Sequence, residues 1–136
     1  MPDKETLERA AEDKREGKSA STQAGEFVRE EIHHIREGKH VAASSKQAIA
    51  IGLSKARRAG VELPQPKQGT VSEKTRKAAQ RDSKRGHSKK KASATRSRSS
   101  LKALKREPRS AASHTALSRQ AKSTARKRKK TTRRAA

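Results

Sequence analysis

Aromatic residues and cysteine are nearly absent from this sequence. Among its 136 residues there is a single Phe, and there is no Tyr, Trp or Cys. Because thiols are missing, the chain can form neither a disulfide framework nor a thiolate metal site. Because it has no aromatic platform, it is not a nucleic-acid reader that stacks bases on aromatic side chains, as RRM-type proteins do.

Long hydrophobic runs are missing as well. Apolar residues make up 28% of the chain and charged residues 38%. The longest apolar run, residues 48–53, is far too short to span a membrane, and the N-terminal residues lack the hydrophobic segment of a secretory signal. We therefore expect no membrane partner. So little apolar surface predicts a small helical core with long arms that are largely disordered or conditionally helical.

Positive charge is abundant and unevenly distributed. The formal net charge is +23. Residues 1–63 hold 12 Lys and Arg against 11 Asp and Glu, whereas residues 64–136 hold 25 against 3. A nearly neutral head is thus joined to a polycationic tail. Such asymmetry indicates a polyanionic partner, and nucleic acid is the commonest one.

The large apolar residues concentrate in residues 25–63, where helical spacing predicts two helices. Gly38 provides a left-handed stop for the first of them, and Ser44 with Gln47 forms a capping box for the second. A solvated helix precedes them. The sequence therefore predicts an all-α head over residues 1–63, made of three short helices around a helix-loop-helix hairpin.

The same spacing predicts how the head packs. The internal seam of the hairpin consists of Val28, Ile32, Ile35, Ile49 and Leu53. Phe27 and Ile51 flank these stripes and need a second contact. Either the first helix and the Val61–Leu63 segment cover them, or a second protomer does, which would make the protein a homodimer through its head.

The remaining chain divides by composition. Residues 64–69 contain two prolines and predict a Pro-rich linker. A Thr-x-x-Glu capping box opens a basic helix over residues 70–86, which has no apolar face to pack. Residues 87–136 are a basic low-complexity tail, predicted to be helical only conditionally, around residues 110–130, and unstructured over residues 87–100.

Two basic stripes are the candidate nucleic-acid-binding residues, because their spacing places each set on one face of a helix. The first set is Lys74, Lys77, Arg81, Lys84 and Arg85, and the second is Arg119, Lys122, Arg126, Lys129, Lys130 and Arg133. In so basic a sequence a stripe also arises by chance, and such a tail also serves as a solubilising or targeting arm. On the third helix, Lys46, Arg57 and Arg58 offer further phosphate contacts, unless Arg57 and Arg58 only stabilise the helix dipole.

Three histidines near the hairpin loop, His33, His34 and His40, have glutamates close by in the sequence. Because His33 and His34 are adjacent, they face different directions on a helix. We interpret all three as surface or hydrogen-bonding residues and predict no metal site and no cofactor. No glycine-rich phosphate loop or nucleophile arrangement is present, so we predict no catalytic residues and no enzyme.

Parts of the sequence resemble a known family. The segments GEFVREEIHHIREGKH and SSKQAIAIGLSKARRAGVELP resemble a family of short basic bacterial proteins, defined by a domain of unknown function. The tail segments LKALKRE and ALSRQAKSTARKRKK are similar to the basic ends of that family. In composition, the tail also resembles linker-histone and bacterial histone-like tails. The resemblance implies a bacterial cytoplasmic protein, but it supplies no activity and no site residues.

Together these features predict a nucleoid-associated, histone-like protein that binds DNA without sequence preference through phosphate contacts of its tail. RNA or ribosome binding is an alternative, because phosphate contacts do not distinguish DNA from RNA. An alternative of another class is an interaction module whose head binds a protein while the tail only localises it.

Overall fold

The structure is a computed structural model that describes residues 2–88, 91, 93–106 and 109–135. These ranges are helical and contain no β-strand, which confirms the all-α prediction. Their helices are α1 (Lys4–Arg15), α2 (Ala20–Arg36), α3 (Ser45–Arg58), α4 (Glu73–Gly86), α5 (Ala94–Leu104), a 3-10 helix (Arg109–Ala112) and α6 (His114–Ala135). None of these described helices combines the length and apolar character needed to cross a membrane.

The helices of the head end in the same way. Gly17, Gly38 and Gly60 follow α1, α2 and α3 with φ values of 75°, 77° and 97°. In each case the next residue donates its backbone N–H to a carbonyl five residues back: Lys18 to Asp13, Lys39 to His34 and Val61 to Ala56, at 2.9 to 3.0 Å. This is the Schellman geometry that a left-handed glycine permits. The predicted stop at Gly38 is confirmed.

The capping box of α3 is present in a modified form. The Ser44 hydroxyl accepts a hydrogen bond from the backbone N–H of Gln47 at 3.2 Å, as predicted. The Gln47 side chain, however, accepts from the N–H of Ala43 at 2.6 Å rather than from Ser44. The side chains still satisfy two backbone donors at the entrance of α3.

Small residues bring α2 and α3 into close contact. The buried stripe of α3 contains Ser45, Ala48, Gly52 and Ala56. A Cβ atom at Gly52 would lie 2.7 Å from the Cα of Val28, so the two backbones approach as closely as a glycine allows. Ile35 of the predicted seam is fully buried, whereas Val28, Ile32, Ile49 and Leu53 are half-buried beside this stripe.

Phe27 is covered by its own chain. Its side chain is 1% exposed and belongs to a cluster with Ala10 of α1, Ala24 and Ala56, against which Leu53, Val61 and Leu63 pack. Phe27 is therefore covered by α1 and the Val61–Leu63 segment of its own chain, which was one of the two predicted alternatives. Ile51, the other residue of the predicted second contact, is half-buried.

A segment of the tail completes the other half of the core. Ala111 and Ala112 of the 3-10 helix are buried in a cluster with Ile35, Ala42 and Ala48. The Ser45 hydroxyl donates to the carbonyl of Ala111, and Nε of Arg36 donates to that of Ala112 at 3.0 Å. Through these bonds the polypeptide after residue 108 is fixed to both helices of the hairpin.

α4 also packs on the head, so the prediction that it has no packing face is wrong. Ala79 is buried, and the backbone of Gly86 lies so close to α3 that a Cβ there would be 2.1 Å from the Arg57 carbonyl. The predicted cap is wrong as well. Ser72 caps the helix by accepting from the Thr75 N–H, while Thr70 donates to the carbonyl of residue 67.

The described parts of the tail are helical rather than disordered. α5 occupies Ala94–Leu104, where the sequence predicts mostly unstructured chain, and Ser93 caps it by accepting a hydrogen bond from the backbone N–H of Arg96. α5 packs against no other described helix. α6 extends to Ala135, beyond the predicted residues 110–130. Parts of the predicted low-complexity segment, residues 89, 90, 92, 107, 108 and 136, lie outside the described residues.

The division into a head (1–63), a linker (64–69), a basic helix (70–86) and a tail (87–136) stays a prediction. Contacts cross its boundaries, since α4 packs on α3, the 3-10 helix packs on the hairpin, and α6 also contacts α3.

Candidate nucleic-acid interface

The basic stripe of α4 faces solvent. Each of its five predicted residues, Lys74, Lys77, Arg81, Lys84 and Arg85, is exposed. By the helical period they lie on the side opposite Ala79, the residue that is buried towards α3. Packing of α4 on the head therefore orients the positive stripe outwards.

α6 carries the second stripe on a longer and freer helix. Arg119, Lys122, Arg126, Lys129, Lys130 and Arg133 are all exposed. The half-buried residues Ala116, Leu117, Gln120 and Thr124 lie on another side, where the first part of α6 meets the head. Residues 125–135 are exposed throughout and include no acidic residue. The last three turns of α6 thus form a projecting cationic rod.

The basic residues of α3 divide between surface and interior. Lys46 and Arg58 are exposed, but Arg57 is 8% exposed and donates a hydrogen bond from Nη2 to the Pro64 carbonyl at 3.2 Å. Arg57 therefore anchors the chain that follows α3. Of the three predicted phosphate contacts on this helix, only Lys46 and Arg58 are available to a ligand.

The three histidines do not share one environment. His33 is exposed and its Nε2 lies 2.8 Å from the Glu37 carboxylate. His34 and His40 are each 8% exposed, so they are not surface residues, which was the first of the two predicted alternatives. His34 does form the predicted kind of hydrogen bond, because its Nε2 is 2.9 Å from Oδ2 of Asp3.

His34 and His40 belong to a buried ionic cluster between α1, α2 and α3. Glu31 is completely buried and contacts both Nε2 of His40, at 3.0 Å, and the ammonium group of Lys55. Lys55 also lies 3.3 Å from Oε1 of Glu30. The other oxygen of Glu30 accepts the backbone N–H of Asp3 at 3.0 Å, which ties the start of α1 to α2.

The cluster shifts the pKa values of its members. The hydrogen bond from His34 holds the pKa of Asp3 below its ordinary value. Burial raises the pKa of Glu30, but hydrogen bonds from Thr6 and from the Asp3 backbone, with the charge of Lys55, lower it further than burial raises it. Burial lowers the pKa of His40, and the nearby Lys55 adds to the effect while Glu31 opposes it. His40 is therefore a neutral imidazole at neutral pH.

The buried cluster is not among the sites predicted from the sequence, although helical spacing contains a signal for the pair of Glu31 and Lys55. Glu31 lies seven residues after Ala24 and four before Ile35, in the middle of the buried stripe of α2. Lys55 lies seven residues after Ala48, on the face of α3 that packs on α2. Placing a carboxylate and an ammonium on two facing buried stripes predicts that they pair.

Neither curated proteins nor solved structures provide a match for this chain. The family comparison does: a family model covers the end of α1, all of α2 and α3, and all but the last residue of the Pro-rich segment. The basic helices α4, α5 and α6 lie outside it. Residues 14–68 match a family of unknown function (DUF6496), which confirms the resemblance of the hairpin sequence to an uncharacterised domain family.

Proposed function

We propose that this protein binds nucleic acid without sequence preference, as a DNA-binding protein of the bacterial nucleoid, through phosphate contacts of α4 and α6. The observation that carries the proposal is the orientation of the two basic stripes. On α4 the stripe lies opposite the packed face, and on α6 it lies away from the head and continues along an unpacked helix. Lys and Arg in such exposed rows neutralise phosphates and release counterions.

The dimensions of α6 suit a DNA duplex. Its 22 residues span about 33 Å, and a helix with its side chains is about 10–12 Å across. The major groove of B-DNA is about 12 Å wide, whereas the deep and narrow major groove of A-form RNA excludes side chains. Phosphate contacts alone do not distinguish the two, so the preference for DNA over RNA depends on α6 entering the major groove. Homodimerisation through the head is not required, since both stripes belong to one chain.

The test is a salt series of mobility shifts with the full-length protein and a random-sequence duplex. If the stripes contact roughly 6 to 10 phosphates, affinity should fall by about 10³ to 10⁵ between 50 and 200 mM salt. A DNA duplex and an RNA duplex of equal length should be compared. Tighter binding to the RNA would contradict the DNA-binding function and favour the alternative of RNA or ribosome binding.

A matched pair of variants tests whether binding depends on the position of the charges on α6 or only on their number. Replacing Arg126, Lys129 and Lys130 by Gln removes three stripe charges, and replacing Lys127, Arg128 and Arg134 by Gln removes three from the other sides of the same helix. The stripe variant should lower the salt slope by about 2 to 3, because each phosphate contact contributes about 0.9. Equal effects of both variants would mean that no face of α6 is selected. Salt-insensitive binding, or none, would contradict the function and favour a head that binds a protein.

A further inference from the structure

Glu31, His34 and His40 converge in the interior of the head. Their exposed fractions are 0%, 8% and 8%, and one potential ligand atom of each lies within 4.8 Å of the others. Glu31 and His34 are three residues apart on α2 and share a face of the helix. His40 returns over them from the loop after Gly38, and the two imidazole rings meet edge to face with centroids 5.8 Å apart.

Hydrogen bonding leaves ligand atoms of this group unused. In the described part of the chain, Nδ1 of His40 has no hydrogen-bond partner. The two oxygens of Glu31 make ion-pair contacts only, one with the ammonium group of Lys55 and the other with Nε2 of His40. Nε2 of His40 lies 3.0 Å from Oε2 of Glu31. Two atoms that each bind a tetrahedral Zn²⁺ at 2.0–2.1 Å lie about 3.3 Å apart. The pair is therefore spaced as two ligands of one ion are.

Asp3 supplies the outer partner that a metal-binding histidine requires. Its Oδ2 lies 2.9 Å from Nε2 of His34 and accepts that proton, which leaves Nδ1 of His34 to bind a metal. A carboxylate that orients the ring through the second nitrogen is the usual support of a zinc-bound histidine.

The charges of the cluster do not balance. Asp3, Glu30 and Glu31 contribute three carboxylates, and Lys55 contributes the single ammonium group that contacts two of them. Of the three carboxylates only Glu30 and Glu31 are buried, and both share the ammonium group of Lys55. Negative charge therefore remains uncompensated where water is excluded, which is costly. A divalent cation would neutralise it.

We propose that the head binds one divalent transition-metal ion, with Zn²⁺ the best-suited, through Glu31, His34 and His40. Two imidazoles and a carboxylate are a ligand set that Zn²⁺ accepts, with a fourth position left for water. Lys55 keeps its contact with Glu30 and gives up Glu31 when the ion enters. Since His40 lies in the loop between α2 and α3, the ion fixes this loop to α2.

The experiment titrates full-length protein, expressed without a histidine tag and free of nucleic acid, with Zn²⁺ in a calorimeter and with Co²⁺ in a spectrophotometer. We expect one ion per chain and, for Co²⁺, the intense visible absorption of a four-coordinate site. Asp3 is largely exposed, so Asp3→Asn should fold normally and weaken Zn²⁺ binding by about 10- to 100-fold through loss of the outer partner. His40→Gln should abolish the Co²⁺ spectrum.

Two further variants make the test specific. His33→Gln is the matched control, because His33 neighbours His34 on α2 but is exposed and pairs with Glu37; its affinity should equal that of the wild type. Lys55→Met removes the competing cation and should tighten Zn²⁺ binding by at least about tenfold.

The proposal is overturned if the wild type shows no saturable binding of Zn²⁺ or Co²⁺, or if binding survives in His40→Gln. It is equally overturned if His33→Gln weakens binding as much as His40→Gln does, since surface histidines would then be the ligands. Circular dichroism of each variant identifies any that has lost its fold. If His40→Gln fails to fold, Asp3→Asn and Lys55→Met decide the result, and unchanged affinity in both rejects the site.

Discussion

At the scale of single residues, two glycines in helix interiors have opposite roles. Gly52 lies where α3 touches α2, and a Cβ there would be 2.7 Å from the Cα of Val28 and 2.9 Å from its N. Gly25 lies within α2 with nothing within 4 Å of its would-be Cβ. Replacing each glycine by alanine therefore separates two effects on stability. At Gly52 the added methyl group meets the packed backbone of α2, whereas at Gly25 only the helix propensity changes.

Gly52→Ala should lower the free energy of unfolding by about 1–3 kcal/mol, because the backbone of α2 must move away from the new methyl group. Gly25→Ala should raise it by about 0.5–1 kcal/mol, since alanine is the better helix former and meets no obstacle. Urea unfolding of the full chain, followed by circular dichroism, measures both. Stabilisation by Gly52→Ala would mean that α2 and α3 are less closely packed.

Single residues also show where prediction of the candidate sites failed. The exposed stripes of α4 and α6 follow from helical spacing, because solvated Lys and Arg need no partner. The buried cluster does not follow from apolar patterning, which treats Glu31 and Lys55 as surface residues. Helical spacing places Glu31 and Lys55 on two facing stripes, but it contains no information about His40, which contacts Glu31 from the loop between the helices.

At the scale of elements, the hairpin could be predicted and the contacts of the tail could not. Glycine stops and serine caps are local signals, and they define the ends of α2 and α3 from the sequence alone. The 3-10 helix docks through Ala111 and Ala112, which are buried against the hairpin. Ala112 follows Arg36, its hydrogen-bond partner, by 76 residues. Two alanines in a segment rich in Ser and Ala give no local signal that they are core residues.

The docked 3-10 helix gives a prediction about local stability. Ala112→Asp places an unpaired carboxylate in the cluster around Ile35 and should undock the 3-10 helix. Amide hydrogen exchange should then become faster in the 3-10 helix and in the loop around Ala42, while exchange in α4 stays unchanged.

The control for this experiment is Ala103→Asp, which makes the same chemical change on the exposed surface of α5. It should leave exchange in the α2–α3 loop as in the wild type. If Ala112→Asp behaves like this control, the tail does not contribute to the core of the head.

At the scale of the whole molecule, charge and apolar surface are separated. The basic helices lie outside the segment that matches the family model, whereas the members of the buried clusters in α2, α3 and the loop between them lie within it. The cluster residues Ala10, Ala111 and Ala112 lie outside it. Large apolar side chains that remain exposed in the described residues are scattered: Leu7 on α1, Val71 before α4 and Leu101 on α5. Scattered single residues of this kind do not form an interface between subunits.

We therefore expect the full chain to sediment as a monomer at moderate salt, where repulsion between the tails is screened. A second protomer is one of the two predicted ways to cover Phe27 and Ile51. Phe27 is already covered by α1 and by Val61 and Leu63. Ile51→Ala should accordingly leave the sedimentation coefficient unchanged. A concentration-dependent dimer that Ile51→Ala dissociates would contradict this expectation, and paired heads would then join DNA segments. If the chain is monomeric, any bridging of DNA must come from α4 and α6 of one chain, and the stripe variant of α6 should abolish it.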